Sequence, residues 1–228
     1  MQMNERPIRI LITGFGGFPG ARKNPTEGLI HALGKKRAAL TSNYAEISLA
    51  ILPVDYAVLA PRLKRLTETF SPDAILHFGL ASRRKVFCVE TRAFNRVSVL
   101  HHDAAGTTAG RRSIVPGAPF IAQATLPPAL ILAALRRTRI KAALSIDAGD
   151  YLCNQAFYLS LIGGKARAVG FIHIPPLASP DRPRPQSSVP QNARRPNLDH
   201  VTQAALAVIR ATLVHLRRVR QSLNPEDL

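Results

Sequence analysis

The sequence is poor in the residues that staple secreted proteins or anchor membrane proteins. It has two cysteines, Cys88 and Cys153, which are too few for a disulfide framework. No apolar run is long enough to span a membrane. The N-terminus, MQMNERPIRILITGF, has too short an apolar run to serve as a signal peptide. These absences predict a soluble protein of the cytoplasm.

Acidic residues are also scarce, since 14 Asp and Glu stand against 31 Lys and Arg and give a formal net charge of +17. Such an excess makes nucleic acid the first partner to consider. The cations, however, are spread in short groups at predicted loops and helix ends, where a cation stabilises the helix dipole without any partner. The chain has no tryptophan and no interleaving of basic and aromatic residues. We therefore expect a basic surface without a dedicated nucleic-acid function, and no membrane partner.

Strand-like and helix-like segments alternate along the chain, which predicts an α/β fold with a largely parallel sheet covered on both faces. Buried strands are predicted at IRILITGFG, AEISLAILPV, DAILHFGLA, KVFCVETRAFNRV, KAALSIDAG and RAVGFIHIP. The first helix is predicted to begin after Asn24 as N-cap, with Pro25 at its first position. We expect a single domain over residues 1–228, loop-rich at 98–124, with a mobile Pro/Arg-rich loop at about 177–196.

Cys153 lies in SIDAGDYLCNQAFYLSL, where small and turn-forming residues precede a helix-like apolar run. A thiol in the first helical turn faces the positive end of the helix dipole and several free N–H groups. That environment can lower a cysteine pKa below its free value of roughly 8.5. The same N–H groups could bind an oxyanion. Cys153 is therefore a candidate nucleophile, although a small buried residue at a helix start would show the same pattern.

A nucleophilic thiol requires a base and a group that orients it. Of the seven histidines, His173 ends the apolar strand GFIHIPP, and His77 in AILHFGL is its main rival. Glu90 lies within the apolar segment VFCVETRAFN, where a carboxylate is costly to bury unpaired. Their separation in sequence leaves open whether these residues meet, and either histidine could instead be structural.

Four segments, taken in order, resemble the pyroglutamyl peptidase type I family of cysteine exopeptidases. ITGFGGFPGARKNP is similar to the family's opening loop, and FGLASRRKVFCVETRAFN to its glutamate signature. LSIDAGDYLCNQAFY fits its cysteine signature closely, and AVGFIHIPPL matches its histidine strand. The resemblance extends from the first strand to the last helix.

The resemblance implies removal of N-terminal pyroglutamyl (5-oxoproline) residues from small peptides in the cytoplasm, without metal or cofactor, by a homotetramer. Its implied fold is a three-layer α/β/α sandwich around a twisted, mixed, largely parallel sheet like that of nucleoside phosphorylases. Cys153 would be the nucleophile, His173 the general base and then acid, and Glu90 the orienting carboxylate. The expected substrate-binding residues are Phe15, Phe18, Asn24, Tyr151 and Leu152.

The chain departs from the family pattern at several positions. Gly16 and Gly17 replace a polar–proline pair, Thr91 replaces a basic residue, and fewer residues than usual separate Cys153 from His173. Three alternatives therefore stay open: another cysteine acyl hydrolase on the same scaffold, a nucleoside-phosphorylase-like enzyme, and a basic, non-catalytic nucleic-acid-binding protein.

Overall fold

The computed structural model describes residues 6–42, 44–178 and 195–223, and within these ranges it has eight strands and six helices. The strands are β1 (Ile8–Phe15), β2 (Ala45–Leu52), β3 (Ala74–Leu80), β4 (Phe87–Glu90), β5 (Arg92–Phe94), β6 (Ile121–Gln123), β7 (Ala142–Ser145) and β8 (Ala168–Ile174). The helices are α1 (Pro25–Lys35), α2 (Arg37–Leu40), α3 (Tyr56–Phe70), α4 (Pro128–Arg137), α5 (Leu152–Ile162) and α6 (Leu198–Leu223). In the part of the chain described here, no helix is both long and apolar enough to cross a membrane.

Six strands form the main sheet in the order β2-β1-β3-β8-β4-β7, and β5 and β6 form a separate antiparallel pair. The pairs β1–β2, β1–β3 and β3–β8 are parallel. Strand β4 is antiparallel to β8 and parallel to the edge strand β7, so β4 and β7 run against the other four. The predicted mixed, largely parallel sheet is confirmed.

Helices cover both faces of the sheet. One core packs α1, α4 and α6 against one face, and its strand residues include Leu76, Phe78 and Ile172. The other core packs α3 and α5 against the opposite face, with Ile75 and Phe171. These strand residues alternate between the two cores because successive side chains of a strand point to opposite faces. The predicted three-layer α/β/α architecture is confirmed.

Short-range capping explains where the first helices begin. The Asn24 side chain accepts a hydrogen bond from Thr26 N at 3.1 Å and caps α1, as predicted. Asp55 caps α3 by accepting from Ala57 N at 2.8 Å and Val58 N at 3.0 Å. Pro61 lies inside α3, six residues after this cap, so the helix starts before the proline.

One predicted segment differs from the structure, and another lies mostly outside the residues that the structure describes. KVFCVETRAFNRV forms two strands, because Thr91 separates β4 from β5 and β5 leaves the main sheet to pair with β6. The segment predicted as a mobile loop at about 177–196 lies mostly outside the described residues. At its margins, Ala178 N donates a hydrogen bond to Pro196 O at 3.0 Å.

Candidate active site

Cys153 is the second residue of α5, and its thiol lies against the centre of the sheet. A Cβ atom added to Gly79 would lie 2.9 Å from Cys153 Sγ and 2.7 Å from the Phe171 ring. The thiol therefore occupies space that exists only because β3 carries a glycine here. In the β3–β8 register, Gly79 is directly opposite His173. The fold thus brings the predicted nucleophile and the predicted base to neighbouring positions on one face of the sheet.

His173 and Glu90 form a buried pair between adjacent strands. His173 Nδ1 donates a hydrogen bond to Glu90 Oε1 at 2.8 Å, with only 6% of the histidine and 1% of the glutamate exposed. The register explains the contact, because Glu90 is opposite Phe171 and Cys88 is opposite His173 across β4 and β8. A proton held at Nδ1 by the carboxylate leaves Nε2 as the basic nitrogen.

The environment of the thiol opposes its ionisation. Burial, and then the negative charge of Glu90, raises the pKa of Cys153 to about 12. The prediction that the helix N-terminus lowers this pKa is wrong, because the loss of hydration and the neighbouring carboxylate dominate. The resting thiol is therefore neutral at physiological pH, and a nucleophilic role requires transfer of its proton to a base.

The other cysteine is placed differently. Cys88 is 3% exposed and its Sγ contacts Val86 O at 3.7 Å. Burial raises the pKa of the Cys88 thiol; the Arg84 charge opposes this rise and the Glu90 charge adds to it. Cys88 lies beside the site, as its position two residues from Glu90 predicts, but it is not at a helix terminus.

The first turn of α5 offers backbone donors beside the thiol. No acceptor among the described residues receives the amide protons of Leu152, Cys153 or Asn154. The Asn154 side chain fixes this turn: its Oδ1 accepts from Phe94 N at 2.9 Å, and its Nδ2 donates to Phe94 O and Arg96 O. Sequence patterns did not reveal this role of Asn154, although an amide in the first turn of an apolar helix was a signal for one.

The five expected substrate-binding residues do not all present side chains to one place. Phe18 is half-buried and its ring packs against Tyr151 at 6.1 Å between centroids. Phe15 is 2% exposed and packs against Phe171 at 6.5 Å. The Asn24 amide is occupied, because it caps α1 and donates to Gly16 O at 3.0 Å. Leu152 has a side chain in the core beneath α5.

Tyr151 is the centre of an aromatic cluster at the start of α5. The Tyr56 ring lies 5.9 Å and the His101 ring 6.0 Å from it, both edge-on. Tyr151 OH donates to His102 O at 2.8 Å, which ties the 98–113 loop to the helix start. Burial raises the pKa of Tyr151 to about 12, so this phenol stays neutral and able to donate.

Asp103 anchors the same loop and was not identified from the sequence. It is fully buried and accepts hydrogen bonds from Tyr56 N, Ala105 N and both the amide and hydroxyl of Thr107. Burial opposes its ionisation, but these hydrogen bonds together hold the pKa of Asp103 below its usual value. The signal was its place in DAAGTT, where a buried aspartate can cap a glycine-containing turn.

His77, the rival base, is fully buried and hydrogen-bonded between two hydroxyls. Its Nδ1 is 2.6 Å from Thr13 Oγ1 and its Nε2 is 2.9 Å from Ser160 Oγ. Burial lowers the pKa of His77 to about 3, so the ring is neutral. Both ring nitrogens are engaged by β1 and α5, which assigns His77 to the support of the site. In the described ranges no group of three or more His, Cys, Asp or Glu side chains could hold a metal ion.

The chain is similar in sequence to proteins of one family. The family model for pyroglutamyl peptidase matches residues 8–211. The pyrrolidone-carboxylate peptidase of Pyrococcus furiosus is 34% identical over 172 residues, covering 74% of this chain and 81% of that protein. That of Clavibacter michiganensis is 30% identical over 214 residues, covering 92% and 95% of the two chains.

Solved structures agree with the sequence matches. Pyrrolidone carboxyl peptidase from Thermococcus litoralis superposes with a TM-score of 0.79 at 30% identity, covering 92% of this chain and 96% of that one. The enzyme of the same name from Thermus thermophilus gives a TM-score of 0.74 at 34% identity, covering 88% and 98% of the two chains. Both similarities extend over nearly the whole of the two folds.

Proposed function

Because the chain belongs to the pyroglutamyl peptidase family of cysteine-type omega peptidases, we propose that its peptidase activity proceeds through a triad of Cys153, His173 and Glu90. The observation that carries this proposal is the buried His173–Glu90 hydrogen bond of 2.8 Å, placed opposite the glycine on which the Cys153 thiol packs. The substrates are small peptides that begin with pyroglutamate.

Proton transfer and attack occur together in this mechanism. His173 Nε2 takes the proton of the Cys153 thiol, since a thiol with a pKa near 12 is not ionised beforehand, and the sulfur attacks the pyroglutamyl carbonyl carbon. Glu90 holds the proton on Nδ1 and stabilises the imidazolium that forms. The unpaired amides at the start of α5 receive the oxyanion.

The second half of the reaction releases both products. His173 gives its proton to the departing amine as the C–N bond breaks, which leaves a thioester between Cys153 and the pyroglutamyl group. Water, deprotonated by His173, attacks the thioester and frees pyroglutamate and the neutral thiol. No metal or cofactor is needed for either half.

Recognition of pyroglutamate follows from its neutral lactam. An ordinary N-terminus carries an ammonium group that is costly to desolvate in an apolar pocket, whereas the lactam is uncharged. We assign the lactam to the half-buried pair Phe18 and Tyr151, with Phe15 behind the pocket, the Asn24 amide holding the loop at Gly16, and Leu152 contributing through its backbone.

We further propose that the chain forms a homotetramer in the cytoplasm. The edge strand β7 and the residue after it expose Leu144 at 52% and Ile146 at 61%. Apolar side chains of this kind beside an open strand edge favour burial against another copy. Analytical ultracentrifugation should give about four times the monomer mass. A monomer would remove this part of the proposal and leave the chemistry untouched.

Cys153→Ala should abolish release of a pyroglutamyl reporter, and Cys153→Ser should also be inactive while folded, because a serine hydroxyl is far harder to ionise. Cys88→Ser, the matched control, should remain active. Iodoacetamide followed by peptide mapping should label Cys153 before the 3%-exposed Cys88, with activity falling in step. Activity that survives full modification of Cys153, or cleavage of other aminoacyl reporters instead of pyroglutamyl ones, would contradict the proposal.

A further inference from the structure

Two chain segments that precede neighbouring strands lie together at one end of the sheet and carry a cluster of cations. Strands β4 and β7 start at this end, and Phe87 N donates a hydrogen bond to Lys141 O at 3.0 Å. The β3–β4 loop and the end of α4 with its following turn therefore form one surface, which we call the basic end. Its seven cations are all exposed: Arg83, Arg84, Lys85, Arg136, Arg137, Arg139 and Lys141.

The charge of the basic end is not balanced by nearby carboxylates. Among the described residues no acidic side chain forms a salt bridge with any of the seven; the ion pairs of arginine are made elsewhere, as in Arg9–Glu46 and Arg96–Asp147. The one acidic residue in the stretches 81–92 and 134–146 is Glu90, and its carboxylate is buried against His173. Like charges concentrated in this way favour binding of an anion that neutralises them.

The basic end begins at the rim of the proposed active site. Arg84 is four residues before Cys88, which is opposite His173 across β4 and β8. The Arg84 charge reaches the Cys88 thiol and opposes the rise of its pKa. In the strand order β1-β3-β8-β4-β7, Phe15 ends β1 on one side of His173, and the basic end lies on the other side.

This arrangement sets the direction in which a bound peptide lies across the sheet. The pyroglutamyl ring belongs with Phe18 and Tyr151, near the end of β1 and the start of α5. His173 protonates the departing amine, so the rest of the peptide continues past His173 toward β4 and β7. The residues that follow pyroglutamate therefore meet the basic end first at the β3–β4 loop, with Arg83, Arg84 and Lys85, because α4 covers the face of the sheet opposite α5.

We propose that the basic end selects peptides with acidic residues directly after the pyroglutamyl group. The inference rests on the proposed function and names the substrate class within it. Carboxylates gain Coulomb attraction from several cations at once, and the attraction also speeds encounter. Single-stranded nucleic acid fits this surface less well, because its bases stack on aromatic side chains, and the exposed large aromatic residues of the described chain, Tyr44 and Phe120, lie outside it.

The test compares kcat/KM for two tetrapeptides, pyroglutamyl-Asp-Glu-Glu and pyroglutamyl-Asn-Gln-Gln, at low and high ionic strength, by release of pyroglutamate. The acidic peptide should be preferred about tenfold at low salt, and the preference should shrink at high salt. In the triple variant Arg83→Ser, Arg84→Ser, Lys85→Ser the ratio should fall toward one. The control Arg210→Ser, Arg217→Ser, Arg218→Ser removes the same charge from exposed positions of α6 and should keep the wild-type ratio.

The outcomes separate the two proposals. Cleavage of both peptides at equal rates, or equal loss of preference in the two triple variants, overturns the acidic-substrate inference and leaves the peptidase intact. Cleavage of neither peptide by the wild-type protein overturns the proposed function itself. Inhibition by single-stranded DNA that the α6 control variant retains, combined with no preference between the peptides, would assign the basic end to nucleic acid instead.

Discussion

Two buried histidines lie on neighbouring strands of one sheet, and their surroundings differ as their proposed roles require. His173 on β8 is bonded to a carboxylate, and His77 on β3 is bonded to two hydroxyls. The ring of Phe171 lies between them, 4.6 Å from His173 and 5.8 Å from His77. The sequence predicts both histidines near the end of an apolar strand, but His77 is the fourth of the seven residues of β3, whereas His173 is the sixth of the seven residues of β8. In the proposed mechanism the charged partner makes His173 a base, whereas the neutral partners and complete burial of His77 make it a structural group.

The largest effect on turnover should come from replacing His173, with the same replacement of His77 as the comparison. His173→Ala should lower kcat/KM for a pyroglutamyl reporter by about 10²- to 10⁴-fold, which is the usual contribution of a general acid–base group. His77→Ala should retain turnover in every condition where circular dichroism shows the folded protein. Loss of turnover in a folded His77→Ala protein, with His173→Ala still active, would reverse the assignment.

Glu90→Gln replaces the carboxylate partner of His173 with a neutral amide, so His173 then has neutral partners as His77 does. The variant keeps the shape of the side chain but holds the imidazole less well, so turnover should fall by roughly 10- to 10⁴-fold. The Glu90 charge also raises the pKa of Cys153, and its removal should therefore shift the pH profile of Cys153 alkylation to lower pH. Near-normal turnover would remove Glu90 from the triad, whereas an unfolded variant would lose the contrast between Cys153 and Cys88 labelling.

The neutral state of His77 should appear in the pH dependence of stability. Burial lowers its pKa from 6.5 to about 3 in the folded protein, so the unfolded chain binds more protons between these values. The contribution of His77 is present above pH 6.5 and should decline by roughly 1.4 kcal/mol per pH unit as the pH falls toward 3.

Urea unfolding of the wild type and of His77→Gln at a series of pH values would measure this decline. The difference in unfolding free energy between the two proteins should narrow as the pH falls below 6.5, because glutamine does not titrate. A constant difference would mean that His77 is not held neutral by the fold.

The smallest effect should follow from Ser160→Ala. Ser160 Oγ bonds His77 Nε2 at 2.9 Å, two helical turns after Cys153. Loss of this buried hydrogen bond should cost about 1–3 kcal/mol of stability and change turnover by less than the His173 and Glu90 variants. A turnover defect as large as that of Glu90→Gln, in a folded protein, would place the His77 side of the sheet in the chemistry as well.

Local sequence patterns predicted most of the helices and strands of the fold. They did not predict which side chains from distant segments form hydrogen bonds with each other. Apolar periodicity and the Asn24 cap located the first helix, and Cys153 and His173 were found at element ends. The Thr13–His77 bond spans 64 positions and the His77–Ser160 bond spans 83, and no spacing rule connects residues so far apart. The reversed direction of β4 was likewise unpredicted.

The direction of the Cys153 pKa shift was missed for a related reason. A helix N-terminus is visible in the sequence, but burial of the thiol and the approach of Glu90 are properties of the folded sheet. A local argument therefore gave the wrong sign. The meeting of Cys153, His173 and Glu90 was implied by the resemblance to a family, because the residues alone left it open.

In the proposed mechanism, the glycine beneath the thiol makes activity depend on a residue with no functional group. A methyl group at position 79 would lie 2.9 Å from Cys153 Sγ and 2.7 Å from Phe171, close enough to displace both side chains. Gly79→Ala would then retain the proposed nucleophile, base and carboxylate but displace the thiol, and we expect reporter turnover to fall in the folded variant. A homologous sequence should therefore be compared at the three proposed triad positions and also at position 79. One that keeps the triad but has a bulkier residue than glycine at position 79 is a candidate pseudoenzyme.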